Sequence, residues 1–379
     1  MNESLKNFLH AFPEIYNNIE VLQREESSFQ THPYRSGEKL PKFHEYDVFI
    51  DSDGSRFGPG DLDKTFVDYD TILFMNFQGW SLDCESNQFP LFSSMFTSAK
   101  NTYQLYDKKG LWSLMRYDGT TMAEESSKQG NFLDIDFDVV VCRGNAARQF
   151  NNYKNANAAS IVTLQALWER NLPGTVFDNT YLMKAPSAYL SHSFTKNIEN
   201  VKRQNFIMYA STVDDMNNQK SFARLIDPSI FKDKTILFCG KVADKKYAEE
   251  VTKILNDKGV KHIFLGMVPH HILSYLYLMS RVIVRYATKD YGPRCISEGL
   301  WAGLPFVVNS NIIMPDEFMR FGISCKNGDA DQLNDAMIKS LSADSHAEIH
   351  NYCKKNITLS KTYSKFLHDV SGVFANGQH

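Results

Sequence analysis

Short apolar segments alternate with segments of helical pattern in the second half of the chain, and this alternation constrains the fold more than any other feature. Strands are predicted at residues 205–211, 235–240, 261–267, 281–287 and 304–310. Helices are predicted at residues 220–226, 247–258, 269–280, 293–302 and 330–341. The apolar segments do not alternate with polar residues, which is typical of strands buried on both faces. The pattern therefore predicts an α/β fold with a doubly wound, mostly parallel sheet.

The chain is long enough for two domains. Its 379 residues exceed the size of a typical single domain about twofold. In the first half, strands are predicted at 46–51, 71–76, 103–106, 138–142 and 161–164, with helix over 1–28 and a Gly- and Asp-rich loop at 52–63. We expect an α/β domain at 1–195, a polar linker at 196–204 within the segment 191–204, a second domain at 205–345, and a terminal helical region at 346–379.

Composition excludes several classes of protein. No apolar run approaches the roughly 18 residues of a membrane span, and no charged-then-apolar leader opens the chain, so we expect a cytoplasmic protein without integral membrane contact. The six cysteines lie far apart and form no CxxC pair, which indicates buried thiols rather than a disulfide framework or a zinc site. Five Asp-x-Asp pairs, including Asp51–Asp53, are read as turn-forming acids because the pattern recurs by composition.

Two acids mark a candidate ligand crevice. Asp290 follows the predicted strand 281–287, and Glu298 lies about one and a half turns into the next helix. In open α/β sheets, ligands bind beyond the carboxyl ends of the strands. Gly292 permits close backbone approach, and the first-turn N–H groups of Arg294 and Cys295 suit a diphosphate. The helix N-terminus is expected to lower the pKa of the Cys295 thiol, although a small buried residue is the preferred interpretation.

Other motifs occur in a fixed order around this crevice. The acids are followed by "WAGLPFVV" and Asn309, and they are preceded by "NFIMYAST…NNQKSF" with Lys220, "TILFCGK" with Gly240, and "HIFLGMVPHH" with Gly266 and Met267. In this order the segments resemble the donor-sugar domain of retaining GT-B glycosyltransferases of the family 4 kind. The resemblance covers about residues 203–343.

The resemblance implies a GT-B fold, in which two Rossmann-like domains face each other across a cleft and the C-terminal helix returns to the first domain. It implies an enzyme that transfers a hexosyl or pentosyl group from a nucleotide-diphosphate sugar to a hydroxyl acceptor, with retention, without a cofactor and without a metal. Asp290 and Lys220 would be catalytic. The implied donor-binding residues are Glu298, Tyr291, Gly292, Arg294, Cys295, Gly240, Gly266, Met267 and Arg285.

Two departures from the family pattern affect the predicted site. The first acid is usually Glu, whereas Asp290 is one methylene shorter. The family also has an arginine shortly before the lysine, where this chain has Ser211 and Thr212; Arg294 or Arg285 could supply the missing charge.

The first half of the chain carries 18 basic and 26 acidic groups, and the second half carries 23 basic and 18 acidic groups. The basic half therefore coincides with the implied diphosphate-binding domain.

Several alternatives remain open. The acceptor could be a glycan or lipid-linked sugar, a small molecule, or a hydroxymethylated DNA base as in phage glucosyltransferases of this fold. A sugar-nucleotide epimerase and a non-catalytic sugar-nucleotide binder are further readings of the same fold. His270 and His271 are adjacent and lack a His or Glu at i+4, so solvent-facing or base-edge positions are favoured over metal binding. Tyr275 and Tyr277 are expected to pack in the core.

Overall fold

The computed structural model describes residues 2–27, 71–76, 101–108, 111–117, 122–126, 136–143, 157–165, 175–178, 188–291 and 293–357. The chain divides into two compact units. One unit consists of Met1–Ser28 and Met183–Leu359, and the other of Phe29–Leu182 and Ser360–His379. The segment Met1–Ser28 therefore belongs with the second half of the chain, whereas the sequence pattern placed residues 1–195 together.

Helices α1 (Glu3–Leu9), α2 (Pro13–Tyr16) and α3 (Ile19–Ser27) form this N-terminal segment. Asn2 begins α1 by accepting a hydrogen bond from Leu5 N through Oδ1, and its Nδ2 donates to Leu265 O at 2.7 Å. Ser4 Oγ donates to Phe264 O at 2.8 Å. These bonds join α1 to a strand that lies about 260 residues later, so the segment is part of the second-half unit.

The unit that contains Phe29–Leu182 has a seven-stranded sheet in the order β4-β3-β2-β1-β5-β6-β7. Strands β2, β1, β5, β6 and β7 run parallel, and β3 is antiparallel to both of its neighbours, β2 and β4. The bounds are β1 Thr71–Asn76, β2 Asn101–Lys108, β3 Leu111–Tyr117, β4 Met122–Ser126, β5 Asp136–Arg143, β6 Asn157–Gln165 and β7 Thr175–Asp178.

Four of the strands predicted in the first half, at 71–76, 103–106, 138–142 and 161–164, correspond to β1, β2, β5 and β6. The prediction at 46–51 lies outside the described residues. Strands β3, β4 and β7 were not predicted. In β4 "MAEES" carries no apolar run and in β7 "TVFD" is short, whereas β3, "LWSLMRY", is apolar and was missed. Polar edge strands are common because their outer groups face water rather than a core.

The second-half unit has a six-stranded parallel sheet in the order β10-β9-β8-β11-β13-β15. Its bounds are β8 Phe206–Ala210, β9 Thr235–Cys239, β10 Lys261–Gly266, β11 Ser280–Arg285, β13 Phe306–Asn309 and β15 Gly322–Cys325. A separate two-stranded pair joins β12 (Asp290–Tyr291) to β14 (Ile312–Ile313). The five predicted strands are confirmed, and the α/β class with a parallel sheet is confirmed with them.

The helices of this unit follow the strands in alternation. They are α4 Ala188–Asn197, α5 Gln219–Leu225, α6 Lys245–Asp257, α7 His270–Met279, α8 Arg294–Trp301, α9 Asp316–Met319, α10 Ala330–Ser342 and α11 His346–Asn356, with a short 3-10 helix at Pro228–Phe231. Helix α4 occupies the first half of the polar segment 191–204, and Leu190 and Phe194 are fully buried on one of its faces.

Helix α11 packs on α8. Trp301 Nε1 donates to Ile357 O at 2.8 Å, and His350 Nδ1 lies 2.6 Å from Trp301 O. The described part of the C-terminal region thus belongs to the second-half unit. The C-terminal helix predicted at 346–379 to return to the first domain packs instead within the second-half unit over His346–Asn356, and the residues after 357 lie outside the described residues. Among the helices that the structure describes, none combines the length and hydropathy of a transmembrane span.

The order of the second sheet defines a switch point. Strand β8 is the first strand of this sheet in chain order. Strands β9 and β10 lie on one side of it, and β11, β13 and β15 lie on the other. The crevice between β8 and β11, beyond their carboxyl ends, is where ligands bind in open α/β sheets. The loops that follow Ala210 and Arg285 border this crevice.

Candidate functional site

The loop after β8 is held against the end of β9 by a close backbone contact at Gly240. A Cβ on Gly240 would lie 2.0 Å from Ser211 O, and the residue adopts a φ of 156°. Ser211 N donates to Cys239 O at 2.9 Å, and Val213 N donates to Lys241 O at 2.8 Å. Gly240 therefore sets the path of the loop beside the switch point, since any side chain would displace it.

Lys220 lies in the first turn of α5. Its Nζ is 3.0 Å from Glu250 Oε2 on α6 and 5.0 Å from the centre of the Tyr247 ring. The pairing lowers the pKa of Glu250 through a hydrogen bond from Lys220. Among the described residues no hydrogen bond joins Lys220 to Asp290 or Glu298.

Asp290 is paired with Arg285. Arg285 ends β11, and its Nε donates to Asp290 Oδ2 at 2.7 Å while a second guanidinium nitrogen reaches the same oxygen. Only 10% of the Arg285 side chain and 24% of the Asp290 side chain is exposed, so this is a partly buried ion pair. The two residues that the sequence placed at a strand end and in the following loop are thus brought together.

Glu298 is buried in α8 and accepts a hydrogen bond from Tyr277 OH at 2.8 Å. Burial raises the pKa of the Glu298 carboxyl, although Arg294 and the Tyr277 hydroxyl act in the opposite direction. Tyr277 was predicted to be a packing residue, but its hydroxyl also holds one carboxylate oxygen of Glu298, the residue predicted to bind ribose. Tyr277 stands among apolar residues of α7, so the sequence carries no sign of a polar contact. The contact depends on how α7 packs against α8.

Cys295 lies in the first turn of α8, and the charges of Arg285 and Asp290 act on the pKa of its thiol. Burial raises the pKa of its thiol to about 12, with the Arg285 charge opposing the shift. The expectation that the helix N-terminus lowers this pKa is wrong, because desolvation of the thiolate outweighs the Arg285 charge and the hydrogen bond from the Ile296 backbone. The preferred interpretation of Cys295 as a small buried residue agrees with this direction.

The remaining predicted donor residues lie at or after the ends of strands and at the start of helix α8. Gly266 ends β10 with a φ of 69°, and a Cβ there would meet Asn2 Nδ2 at 2.4 Å, so the N-terminal segment reaches this position. The neighbouring Met267 is 69% exposed. Arg294 is the first residue of α8. Tyr291 pairs with Ile313 in the small sheet, while its side chain and Gly292 lie outside the described residues.

The adjacent residues His270 and His271 differ in burial and in their contacts with Glu26. His271 is buried, and both its backbone N and Nδ1 donate to Glu26 Oε2. His270 is 54% exposed, with Nδ1 3.7 Å from the other Glu26 oxygen. Glu26 carries no motif of its own, so the sequence offered no signal for this contact. In the described part of the chain no group of three His, Cys, Asp or Glu side chains could hold a metal ion.

No protein-family model matches the sequence, and a search of curated proteins found no match. Among solved structures, the chain is similar to a glycosyltransferase from Rickettsia africae ESF-5, with a TM-score of 0.54 and 13% identity over 82% of this chain and 100% of that chain. A sucrose-phosphate synthase from Thermosynechococcus elongatus gives a TM-score of 0.49 and 10% identity over 81% and 100% of the two chains. HepE from Anabaena, in complex with UDP and glucose, gives 0.46 and 10% over 79% and 99%.

The TM-scores of the second and third structures lie below 0.5, so the fold assignment rests on the Rickettsia enzyme. The predicted α/β fold of the GT-B type is confirmed. An identity of 13% establishes the fold alone.

Proposed function

We propose that this protein is a retaining glycosyltransferase that moves a hexosyl or pentosyl group from a nucleotide-diphosphate sugar to a hydroxyl acceptor. One observation carries the proposal. In a chain with the fold of a glycosyltransferase, an acid–arginine pair and the first turn of α8 lie beyond the carboxyl ends of the strands at the switch point of the sheet.

The donor would be held by charge and by backbone N–H groups. The first turn of α8 offers N–H groups and the positive end of the helix dipole to a diphosphate. Lys220 would add a positive charge by exchanging Glu250 for a phosphate oxygen, since this surface ion pair is weak. Glu298 would accept from ribose hydroxyls beside its bond from Tyr277.

The reaction needs no acid–base side chain. The bond between the anomeric carbon and the diphosphate oxygen breaks while the acceptor oxygen forms a bond to the same face of that carbon. The leaving phosphate oxygen takes the acceptor's proton. The protein's contribution is electrostatic, because Lys220 and the α8 N–H groups stabilise the negative charge that grows on the phosphate. Asp290 would orient the sugar.

The test is to incubate the purified protein with a panel of nucleotide sugars and to follow release of free nucleotide. We expect turnover with at least one donor, and we expect Asp290→Ala to reduce it by at least 100-fold, about 2.7 kcal/mol of transition-state stabilisation, while binding of nucleoside monophosphates remains. Glu317→Ala, on the separate helix α9, is the matched control and should leave turnover unchanged. No nucleotide release and no binding of any donor would refute the proposal, and so would full activity of Asp290→Ala.

A second candidate is a sugar-nucleotide binder without turnover. It is favoured by the partners that Asp290 and Lys220 already have, Arg285 and Glu250. In that case donors raise the thermal midpoint but release no nucleotide with any acceptor. The acceptors to be tested are a glycan, a small molecule and hydroxymethylated DNA.

A further inference from the structure

Arg285 is an unusual residue for the centre of a parallel sheet. It ends β11, next to β8 at the switch point, and only 8% of the residue is exposed. Charged side chains are seldom buried to this degree unless all their polar groups are paired. Its flanking strand residues, such as Val284, are fully buried apolar side chains. The position therefore requires a specific reason for a guanidinium.

The hydrogen bonds of Arg285 are incomplete. Nε and one terminal nitrogen converge on the single oxygen Oδ2 of Asp290. The other terminal nitrogen, NH1, is shielded from water and has no acceptor among the described residues. A buried donor without an acceptor costs about 1–3 kcal/mol. Such groups are few in native proteins, and a ligand that supplies the acceptor is a recognised cause.

The surroundings of the guanidinium favour a negatively charged acceptor. Cys295, in the first turn of the eight-residue helix α8, lies within electrostatic range of Arg285. The backbone N–H groups of that turn carry the positive end of the helix dipole. An anionic oxygen beside Arg285 would therefore meet a guanidinium N–H in a region that the helix N-terminus makes more positive. A neutral hydroxyl would gain less from both.

We propose that Arg285 binds an oxyanion of the nucleotide-sugar donor through NH1, and that Asp290 holds the guanidinium in place for this contact. The proposal rests on the proposed function. Arginine suits the role because its planar fork can pair with a carboxylate on one side and donate to a second oxyanion on another. The oxyanion has two possible sources, the diphosphate that every such donor carries and the carboxylate of a uronic sugar.

Binding measurements with Arg285→Gln separate these sources. Dissociation constants are measured by calorimetry for the uridine, guanosine and adenosine mono- and diphosphates, for inorganic pyrophosphate, and for the matching glucose and glucuronate donors. Arg281→Gln, on the same strand but bonded to Asn205, is the matched control. We expect Arg285→Gln to weaken binding about 10- to 100-fold, as for loss of a charge-assisted hydrogen bond.

If the diphosphate is the source, affinity falls for pyrophosphate, nucleoside diphosphates and both sugar donors, and it is unchanged for monophosphates. If the sugar carboxylate is the source, only the glucuronate donor loses affinity. Either result supports the proposal. Should Arg285→Gln fail to fold, Arg285→Lys decides. Lysine keeps the positive charge but lacks the planar guanidinium fork, so an ammonium paired with Asp290 is not held in place to donate to a second oxyanion, and the same losses are expected.

Unchanged affinity of a folded Arg285 variant for every ligand overturns the role of Arg285 and leaves the proposed function intact, provided that the parent protein binds a donor. If the parent binds no nucleotide sugar, the proposed function and this inference fall together. Equal losses in Arg281→Gln and Arg285→Gln also overturn the inference, since the effect is then general to the strand.

Discussion

At the scale of single residues, the predicted site residues are charged groups that already have protein partners. Asp290 is bonded to Arg285, Lys220 to Glu250, and Glu298 to Tyr277. The positions of Asp290 and Glu298 were predicted from the strand and helix around them. Lys220 and Arg285, in contrast, were implied as donor-binding by the family resemblance. Arg285 lies on the strand before Asp290, whereas Glu250 and Tyr277 lie on other helices. These partners determine how each charged side chain is oriented.

The buried carboxylate of Glu298 should lower the stability of the folded protein at neutral pH. Because burial raises its pKa above the ordinary value of 4.5, the folded state keeps the proton to higher pH than the unfolded state. Stability should therefore fall as pH rises from 4.5 through the folded-state pKa. We expect Glu298→Gln to remove this loss and to raise the thermal midpoint at pH 7 by about 2–4 °C per kcal/mol recovered, while donor affinity decreases.

Tyr277→Phe is the control for this prediction. It keeps the ring packed but removes the donor to Glu298 Oε2, so it should lower stability by about 1 kcal/mol. Thermal unfolding of the parent and both variants between pH 4 and pH 8 provides the measurement. A Glu298→Gln protein that unfolds at a lower temperature than the parent at pH 7 would show that the buried carboxylate is fully compensated.

At the scale of elements, helix α7 takes its N-terminal cap from a distant part of the chain. Pro269 precedes the helix and offers no side-chain hydrogen bond. Glu26, at the end of α3, accepts from His271 N instead, and the carboxylate also suits the positive end of the helix. The same helix carries Tyr277, so the cap helps to fix the position of the Glu298 contact.

Removing this cap should have a measurable cost. We expect Glu26→Ala to reduce the free energy of unfolding by about 1 kcal/mol, as for other helix caps. Glu25→Ala is the matched control, because Glu25 pairs with Lys196 and His192 near the surface and such pairs contribute about 0–1 kcal/mol. Urea titration compares the two variants with the parent. An equal effect of both substitutions would contradict a capping role for Glu26.

At the scale of the whole molecule, the second-half unit is built from two distant pieces of chain. Met1–Ser28 and Met183–Leu359 form one compact unit, and Phe29–Leu182 lies between them in sequence. Leu5, Leu9 and Ile15 of the N-terminal piece are fully buried. A chain that lacks this piece would leave their apolar neighbours exposed to water.

We therefore expect a fragment of residues 183–359 to be less stable than the same unit in the intact chain. Loss of three buried aliphatic side chains removes roughly 1.5–3 kcal/mol each. Adding a peptide of residues 1–28 should restore the thermal midpoint in a concentration-dependent manner. A peptide in which Leu5 and Leu9 are replaced by Asp is the control. A fragment as stable as the unit in the intact chain would contradict this assignment.

The sequence by itself determined the parallel sheet of the second half and the positions of Asp290 after a strand and Glu298 in the next helix. Both follow from local information, because strands buried on two faces need continuous apolar runs such as "TILFC" in β9, and helices begin and end at recognisable residues. It did not reveal β3, nor β4 and β7, whose residues lack such runs, nor the place of Met1–Ser28.

Only the tertiary structure decided which charges meet and what their surroundings do to them. The Arg285–Asp290 pair, the Tyr277–Glu298 bond and the Glu26 cap of α7 each depend on the packing of separate elements. The pKa of Cys295 shows the reason most clearly. A helix N-terminus can be read from the sequence and favours the thiolate, but burial is a property of the whole fold, and here burial prevails.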